Sequence, residues 1–357
     1  MDSPQTATAD ERELLELARS GDERAYETLI ESHRAELHAH CYRMLASVHD
    51  ADDAVQETLL RAWKGLPKFE SRSSIRTWLY RIATNSSLDL LKKRKRRELP
   101  INVGQPVAFG NTPGEAIYAD SWLEPYPDHL VENQRSPEMR YEERESLELA
   151  FVAGLQYLPP RQRAVFLLRE ALSFSAVEVA ELLDISVAAV NSSLQRARAS
   201  VTDRFSGESQ RVELQRLGNE RVQEVARRYI DAIDRGDVDA LMAILTTDAK
   251  WSMPPHPNYY EGRTTIEEFQ RGDVSLMRWR HRITTANGQL AIGGYVYDEE
   301  KALYVSLVLD VLDLRDGKVA AVTAFFTARA FEGQAVPDGY VAAVDFERFE
   351  LPDAVDG

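Results

Sequence analysis

The stretch from Phe69 to Arg97, FESRSSIRTWLYRIATNSSLDLLKKRKRR, constrains this chain more than any other. It opens as a Ser/Arg loop, continues with Ile75, Trp78, Leu79, Ile82 and Leu90 at helical spacing, and ends in an unbroken basic run from Lys92 to Arg97. This pattern predicts an amphipathic helix with one buried face. Its outward chemistry suits nucleic acid. Aromatic and hydroxyl side chains can stack on or hydrogen-bond an unpaired base, while the adjoining cations hold phosphates without reading sequence. The plainer alternative is a solvated helix end, since the helix dipole favours cations there.

At 357 residues and 44% hydrophobic, the chain can bury more than one core, and two or three domains are expected. No stretch approaches the ~20 apolar residues of a membrane span, and the N-terminus has neither a basic n-region nor an apolar h-region. The expectation is a cytoplasmic protein with no membrane contact. Cys41 is the single cysteine, which excludes an internal disulfide framework. The net charge of -15 argues at first against nucleic acid, but the acidity is segregated. Residues 1–97 carry 17 basic against 16 acidic side chains and 147–205 carry 6 against 6, whereas 98–146 carry 3 against 10 and 206–357 carry 17 against 26. Two near-neutral blocks therefore leave room for DNA-binding surfaces.

Helices are expected from the outset, with Asp10 capping the first, Gly21-Asp22 breaking before the second and Asp50 capping a third, DADDAVQETLLRAWKGL. In that third helix Val55, Leu59, Ala62 and Leu66 face inward, and Asp53, Gln56, Glu57, Arg61 and Lys64 face outward. His33, His38, His40 and Cys41 lack the paired spacing of a zinc site, so no metal and no cofactor are expected.

DADDAVQETLLRAW followed by FESRSSIRTWLYRIATNSSLDLLKKRKR resembles region 2 of sigma-70 family RNA polymerase sigma factors of the extracytoplasmic-function group. The resemblance implies that the third helix docks on core RNA polymerase through Asp53, Gln56, Glu57 and Arg61. It implies that the following loop and helix open the minus-ten element and hold a flipped base, with Arg72, Ser73, Ser74, Arg76, Trp78, Asn85, Lys92, Lys93 and Arg94 as contacts. Trp78 is expected to pack inside rather than to stack on a base.

Residues 98–146 are rich in Pro, Gly and acidic side chains and read as a linker. The open readings are a solvated tether and, by the resemblance, a segment that threads the polymerase cleft, where Asp120, Glu124 and Asp128 with Trp122 and Tyr126 mimic nucleic acid. Residues 147–205 then read as a helix-turn-helix. Val177, Val179, Ala180 and Leu183 line its first helix, Asp184 stands at the turn, and Val190, Leu194, Ala197 and Val201 form the inner stripe of the last helix. Ala188, Asn191, Ser192 and Gln195 face outward with Arg196 and Arg198 nearby, a set fitted to a major groove. Together with LPPRQR, which supplies Arg161, this block resembles sigma region 4, the reader of the minus-thirty-five element. It departs in carrying Asp184 where Gly is usual, and Asn191 and Ser193 where many members carry Lys and Arg.

The last third, 219–350, gives helices first and then Val-, Ile- and aromatic-rich strands with an Asp316-Gly317 turn, an α+β pattern with an antiparallel sheet. It resembles the SnoaL-like cone of the nuclear-transport-factor-2-like superfamily. Trp251, Met253, His256, Tyr259, Tyr260, His281, Tyr295 and Asp310 are its candidate pocket residues, and a His/Asp pair there can act as acid and base if it converges on one ligand. The whole reading is a multidomain chain: all-α sigma region 2 (11–97), acidic linker (98–146), helix-turn-helix region 4 (147–205) and a regulatory SnoaL-like domain (219–350). The expected partners are core RNA polymerase, promoter DNA, and an anti-sigma factor or small ligand. The rival readings are a bifunctional protein whose cone is an enzyme or sensor, and a one-component repressor.

Overall fold

The computed structural model describes residues 9–71, 73–117, 121–132, 146–204, 209–332 and 344–356. They divide into two compact units, one holding the described residues up to Arg96 with 130–132, 146 and 150–204, the other holding 97–117, 121–129, 147–149, 209–332 and 344–356. No described helix is long and apolar enough to cross a membrane.

The first unit is helical: α1 (Ala9–Arg19), α2 (Glu23–Leu45), α3 (Val48–Gly65), α4 (Ile75–Leu91), α5 (Leu149–Leu155), α6 (Pro160–Phe166), α7 (Ala176–Leu183) and α8 (Val187–Arg204). Asp22 caps α2 by accepting from the Ala25 N–H. Ser47, not Asp50, caps α3, and Asp50 is buried three residues in, where it pairs with Arg94 at 3.3 Å. Helices α2, α3 and α4 pack on one another, and α4 also meets α6 and α7. Arg163 is buried on α6 and donates to the Met44, Gln156 and Leu158 carbonyls and to the Gln156 side chain. Met44 lies at the C-terminal end of α2, where the helix dipole favours a cation. Burial nonetheless pushes Arg163 down to about 9. The histidines of α2 serve packing: His33 pairs with Glu36 at 2.6 Å, His38 with Asp52 at 3.0 Å, and His40, pushed down to about 3 by burial, with the Thr84 hydroxyl at 2.9 Å. Cys41 is fully buried, which pushes its thiol up to about 12.

In the second unit α9 (Gln210–Asp234), α10 (Val238–Ile244) and α11 (Arg263–Phe269) accompany one seven-stranded sheet. Its strands are β1 (Leu245–Ser252), β2 (Tyr259–Glu261), β3 (Trp279–Ala286), β4 (Gln289–Asp298), β5 (Leu303–Arg315), β6 (Lys318–Phe326) and β7 (Ala354–Val355). Their order is β2-β1-β6-β5-β4-β3, with β7 added beside β5. The sheet is mixed rather than wholly antiparallel, because β1 runs parallel to β6. Two tight turns with positive φ, Asn287-Gly288 and Asp316-Gly317, join β3 to β4 and β5 to β6; only the second is read as a turn from the sequence above, although Asn-Gly carries the same hairpin signal. The helices cover one sheet face and enclose a core that includes Tyr229, Trp251, Ile292, Leu312 and Val322.

The described part of the acidic segment, 98–117 and 121–129, is no solvated tether: it belongs to the second unit and is pinned along the β2 edge and the β3–β4 turn. Val107 sits in the core cluster, its N–H bonded to the Tyr259 carbonyl at 2.8 Å. Gly104 passes so close that a Cβ there would lie 2.0 Å from the Pro257 carbonyl oxygen. Asn287 clamps the segment by accepting from the Tyr126 N–H at 2.7 Å and donating to the Leu147 carbonyl at 2.6 Å. Glu124 and Asp128, expected as exposed mimics, are instead buried: Glu124 pairs with Arg97 at 3.0 Å and Asp128 accepts from the Gly288 N–H at 2.8 Å. Trp122 and Tyr126 are buried too, and Asp120 lies outside the described residues.

Candidate functional site

Helix α3 turns Ala51, Ala54, Val55, Thr58 and Ala62 inward, so Asp53, Gln56, Glu57 and Arg61 come together on its exposed face. The Arg61 guanidinium holds its place by donating to Glu57 at 2.6 Å and reaching Asp89 of α4 at 3.5 Å. Asp89 lies below the usual carboxylate range, chiefly because the Lys92 ammonium donates to it. Leu60 stands on the same face at 56% exposure, among these polar residues. The sequence reading passed over it, although an apolar residue out of phase with the Val55, Leu59 and Ala62 stripe was the available signal.

Ser74 caps α4 by accepting from the Thr77 N–H at 3.0 Å, and the Ser73 hydroxyl beside it stays exposed. Arg72 lies outside the described residues. Arg76 is not an open cation. It pairs with buried Glu36 at 2.8 Å and lies over the rings of Tyr80 (4.8 Å) and Phe174 (5.2 Å). Trp78 is half-buried, with Phe69 at 4.9 Å between centroids and Gly65 against its ring edge. Asn85 is exposed, and so is Arg81 one turn before it, a residue that the sequence reading missed and that four-residue spacing could have found. Lys92, Lys93 and Arg94 are exposed after the helix, whereas Arg97 turns inward to Glu124.

In the helix-turn-helix, Ser175 and Glu178 form a capping box on α7, and Asp184 takes the left-handed conformation the turn requires (φ 53°). Val179, Ala180 and Leu182 are the buried residues of α7, while Val177, expected inside, is 56% exposed. On α8, Val190, Leu194 and Ala197 are buried. Ala188, Asn191, Ser192, Gln195, Arg196 and Arg198 are all exposed, as is Arg161 at the start of α6. Arg196 donates to the Ser192 hydroxyl at 2.6 Å, and Arg198 pairs with Glu170 at 2.8 Å. The outward face thus presents an amide pair between small side chains, flanked by two guanidinium groups.

In the second unit the eight pocket candidates divide: Trp251, Met253, Tyr260, His281 and Asp310 face the core under the helices, with His281 close enough to act on the Asp310 charge, and the other three lie elsewhere. Trp251 lies parallel to Tyr229 at 6.2 Å and Tyr260 stacks on Phe269 at 4.7 Å, while Met253 joins the same core. His281 donates from Nδ1 to Asp234 at 2.6 Å, and Asp310 accepts from the Tyr229 hydroxyl at 2.8 Å. His256 and Tyr259 are engaged by the 104–117 segment, His256 through the Gly114 carbonyl at 2.8 Å. Tyr295 lies on the opposite sheet face, against Phe346. The partners Tyr229 and Asp234 were missed because helix-to-sheet pairing is a tertiary fact.

Burial pushes Asp310 up to about 6, and Asp313 likewise to about 6. A carboxyl whose folded value is raised binds its proton more tightly in the folded state. These two groups therefore contribute stability that is lost as pH rises from about 4 through about 6, opposite in sign to buried His40, whose depressed value favours folding as pH rises from about 3 to about 6.5. Asp310→Asn keeps an acceptor for Tyr229, and should remove about half of that contribution and add about 3 kcal/mol above pH 6. Urea melts at about pH 5 and about pH 8 check it. An unaltered difference between the two would count against a buried, titrating Asp310.

Comparison with known proteins matches residues 29–97 to Sigma-70 region 2, 148–201 to Sigma-70 region 4 and 226–322 to the SnoaL-like domain. The ECF RNA polymerase sigma factor SigG of Mycobacterium tuberculosis (strain H37Rv) is 41% identical over 337 residues, covering 90% of this chain and 85% of its own. SigW of Bacillus subtilis (strain 168), also an ECF RNA polymerase sigma factor, is 30% identical over 185 residues, 51% of this chain and 90% of its own. Among solved structures, the extracytoplasmic function sigma factor SigJ of Mycobacterium tuberculosis superposes with a TM-score of 0.54 at 21% identity, covering 87% of this chain and 99% of that one. That likeness extends the shared fold through the SnoaL-like part.

Proposed function

Because this chain belongs to the extracytoplasmic-function RNA polymerase sigma factors, with a SnoaL-like domain at its C-terminal end, we propose specific roles for its exposed faces. The α3 face of Asp53, Gln56, Leu60, Glu57 and Arg61 docks on core RNA polymerase. Ser73, Arg81, Asn85 and the Lys92–Arg94 run engage the minus-ten element, the cations through phosphates and the loop through an extruded base. Arg76 joins them only after leaving Glu36. Helix α8 enters the major groove at the minus-thirty-five element, where Asn191 and Gln195 read base edges and Arg161, Arg196 and Arg198 hold phosphates.

The observation that carries this reading is the α8 face itself. Its amides and guanidinium groups are exposed while its apolar residues are buried, in a chain that also matches region 2. Polymerase performs the nucleotide chemistry and the chain supplies binding energy. We assign the SnoaL-like unit a regulatory rather than a catalytic role. The support is that its His281 and Asp310 are each committed to a structural partner, and that its His256 and Tyr259 hold the chain's own 104–117 segment.

The test is single-round transcription from a genomic promoter library with bacterial core polymerase and the whole chain. Specific initiation is expected. Asn191→Ala or Gln195→Ala should cost about 1–3 kcal/mol at one base position and relax preference there. Core binding without any selective initiation would sink the promoter role, and unchanged preference in both variants would move base reading off α8.

A further inference from the structure

We propose that the outer face of edge strand β3 is a second nucleic-acid contact, in which Arg278, Arg280 and Arg282 bind the phosphodiester backbone of duplex DNA. This rests on the sigma-factor reading only for the place where such DNA is met. The three residues alternate along RWRHR, so their side chains leave one sheet face at steps of about 6.7 Å, with Trp279 buried between the first two and the His281 ring buried between the last two. Two tyrosines on neighbouring strands back them. The Arg278 guanidinium lies 3.7 Å from the centroid of Tyr297, and that of Arg280 5.0 Å from Tyr304. A ring beneath a guanidinium fixes its plane; Arg280 gives one N–H to the Trp279 carbonyl at 3.2 Å and Arg278 bonds Tyr304, and their remaining N–H groups can meet a phosphate.

The charge balance sharpens the point. Residues 206–357 carry 26 acidic against 17 basic side chains, and Arg216, Arg271, Arg315 and Arg329 are each paired with a carboxylate. Among the described residues, Arg280 and Arg282 have no carboxylate partner, and Arg278 has only an exposed contact with Glu299 at 3.6 Å. Edge strands often carry charge merely to block pairing with other edges. That purpose needs neither one uniform sign nor aromatic backing. The C-terminal segment lies on the same sheet face, where Phe346 packs on Tyr295. There the Phe349 carbonyl accepts from Thr284 at 2.8 Å, and Asp345, Glu347, Glu350 and Asp353 flank the contact.

The experiment measures equilibrium affinity for a duplex promoter against salt, using core polymerase with the whole chain as wild type, as Arg280→Gln/Arg282→Gln, or as Arg280→Lys/Arg282→Lys. The Gln pair should weaken binding about tenfold near 0.15 M salt and reduce the log-log salt slope by about 1.8, while the Lys pair keeps the slope. An unchanged slope in the Gln pair overturns the proposal. So does a loss of core-polymerase affinity measured without DNA, because the strip would then serve a protein contact. If the wild-type chain forms no promoter complex, the sigma reading fails by itself. The strip is then judged with the chain alone on a nonspecific duplex at low salt, where equal binding by wild type and Gln pair overturns it and weaker binding by the Gln pair supports it.

Discussion

Leu60→Glu is expected to weaken binding to core RNA polymerase by about a hundredfold or more, with no change in melting temperature. The side chain is 56% exposed on α3 and lies between the polar residues Gln56, Glu57 and Arg61. Folding gains little from an apolar side chain left in water, so its replacement should be neutral to the free chain. In a docked state the same side chain would be the apolar centre of a polar rim, and truncating such a centre costs roughly 2–4 kcal/mol. A carboxylate placed there adds the desolvation of a charge. Titration of labelled core polymerase with wild type and variant checks this, beside a thermal melt of each. Affinity within about twofold of wild type would remove α3 from the interface, whereas a lowered melting temperature would show that Leu60 supports the fold.

Val107→Asp should release the 104–117 segment from the second unit at a cost of about 3 kcal/mol. Val107 is 8% exposed and belongs to the core that includes Trp251, Met253 and Tyr260. Burying a carboxylate there with no partner costs several kcal/mol, which exceeds the ~1 kcal/mol net contribution of each nearby backbone hydrogen bond. The segment should therefore leave rather than carry the charge inside. Limited proteolysis reads the release as new cleavage between Gln105 and Ile117, and intrinsic tryptophan fluorescence should change as Trp251 gains water. A variant as resistant as wild type would show that Gly104, Asn287 and the Arg97–Glu124 pair hold the segment without Val107.

The amino-acid sequence by itself determined the helical blocks, the helix-turn-helix with its left-handed Asp184, the outward faces of α3 and α8, and the α+β character of the last third. Each is written in a local period: apolar residues every three or four positions in a helix, alternate positions in a strand. A face defined this way stays outward whatever the helix packs against, which is why Asp53, Glu57, Asn191 and Gln195 were legible. Tertiary structure alone decided what periodicity cannot encode. Arg76 reads as a free cation until Glu36, 40 positions away, meets it at 2.8 Å. Glu124 and Asp128 read as solvent-exposed acids until Arg97 and the Gly288 N–H receive them. A segment rich in Pro and Gly has no period of its own, so its hydrogen bonds depend wholly on the surface it meets. The same holds for the pocket candidates. Strand alternation cannot say which sheet face the helices will cover, and that choice sends His281 and Asp310 inward and Tyr295 outward.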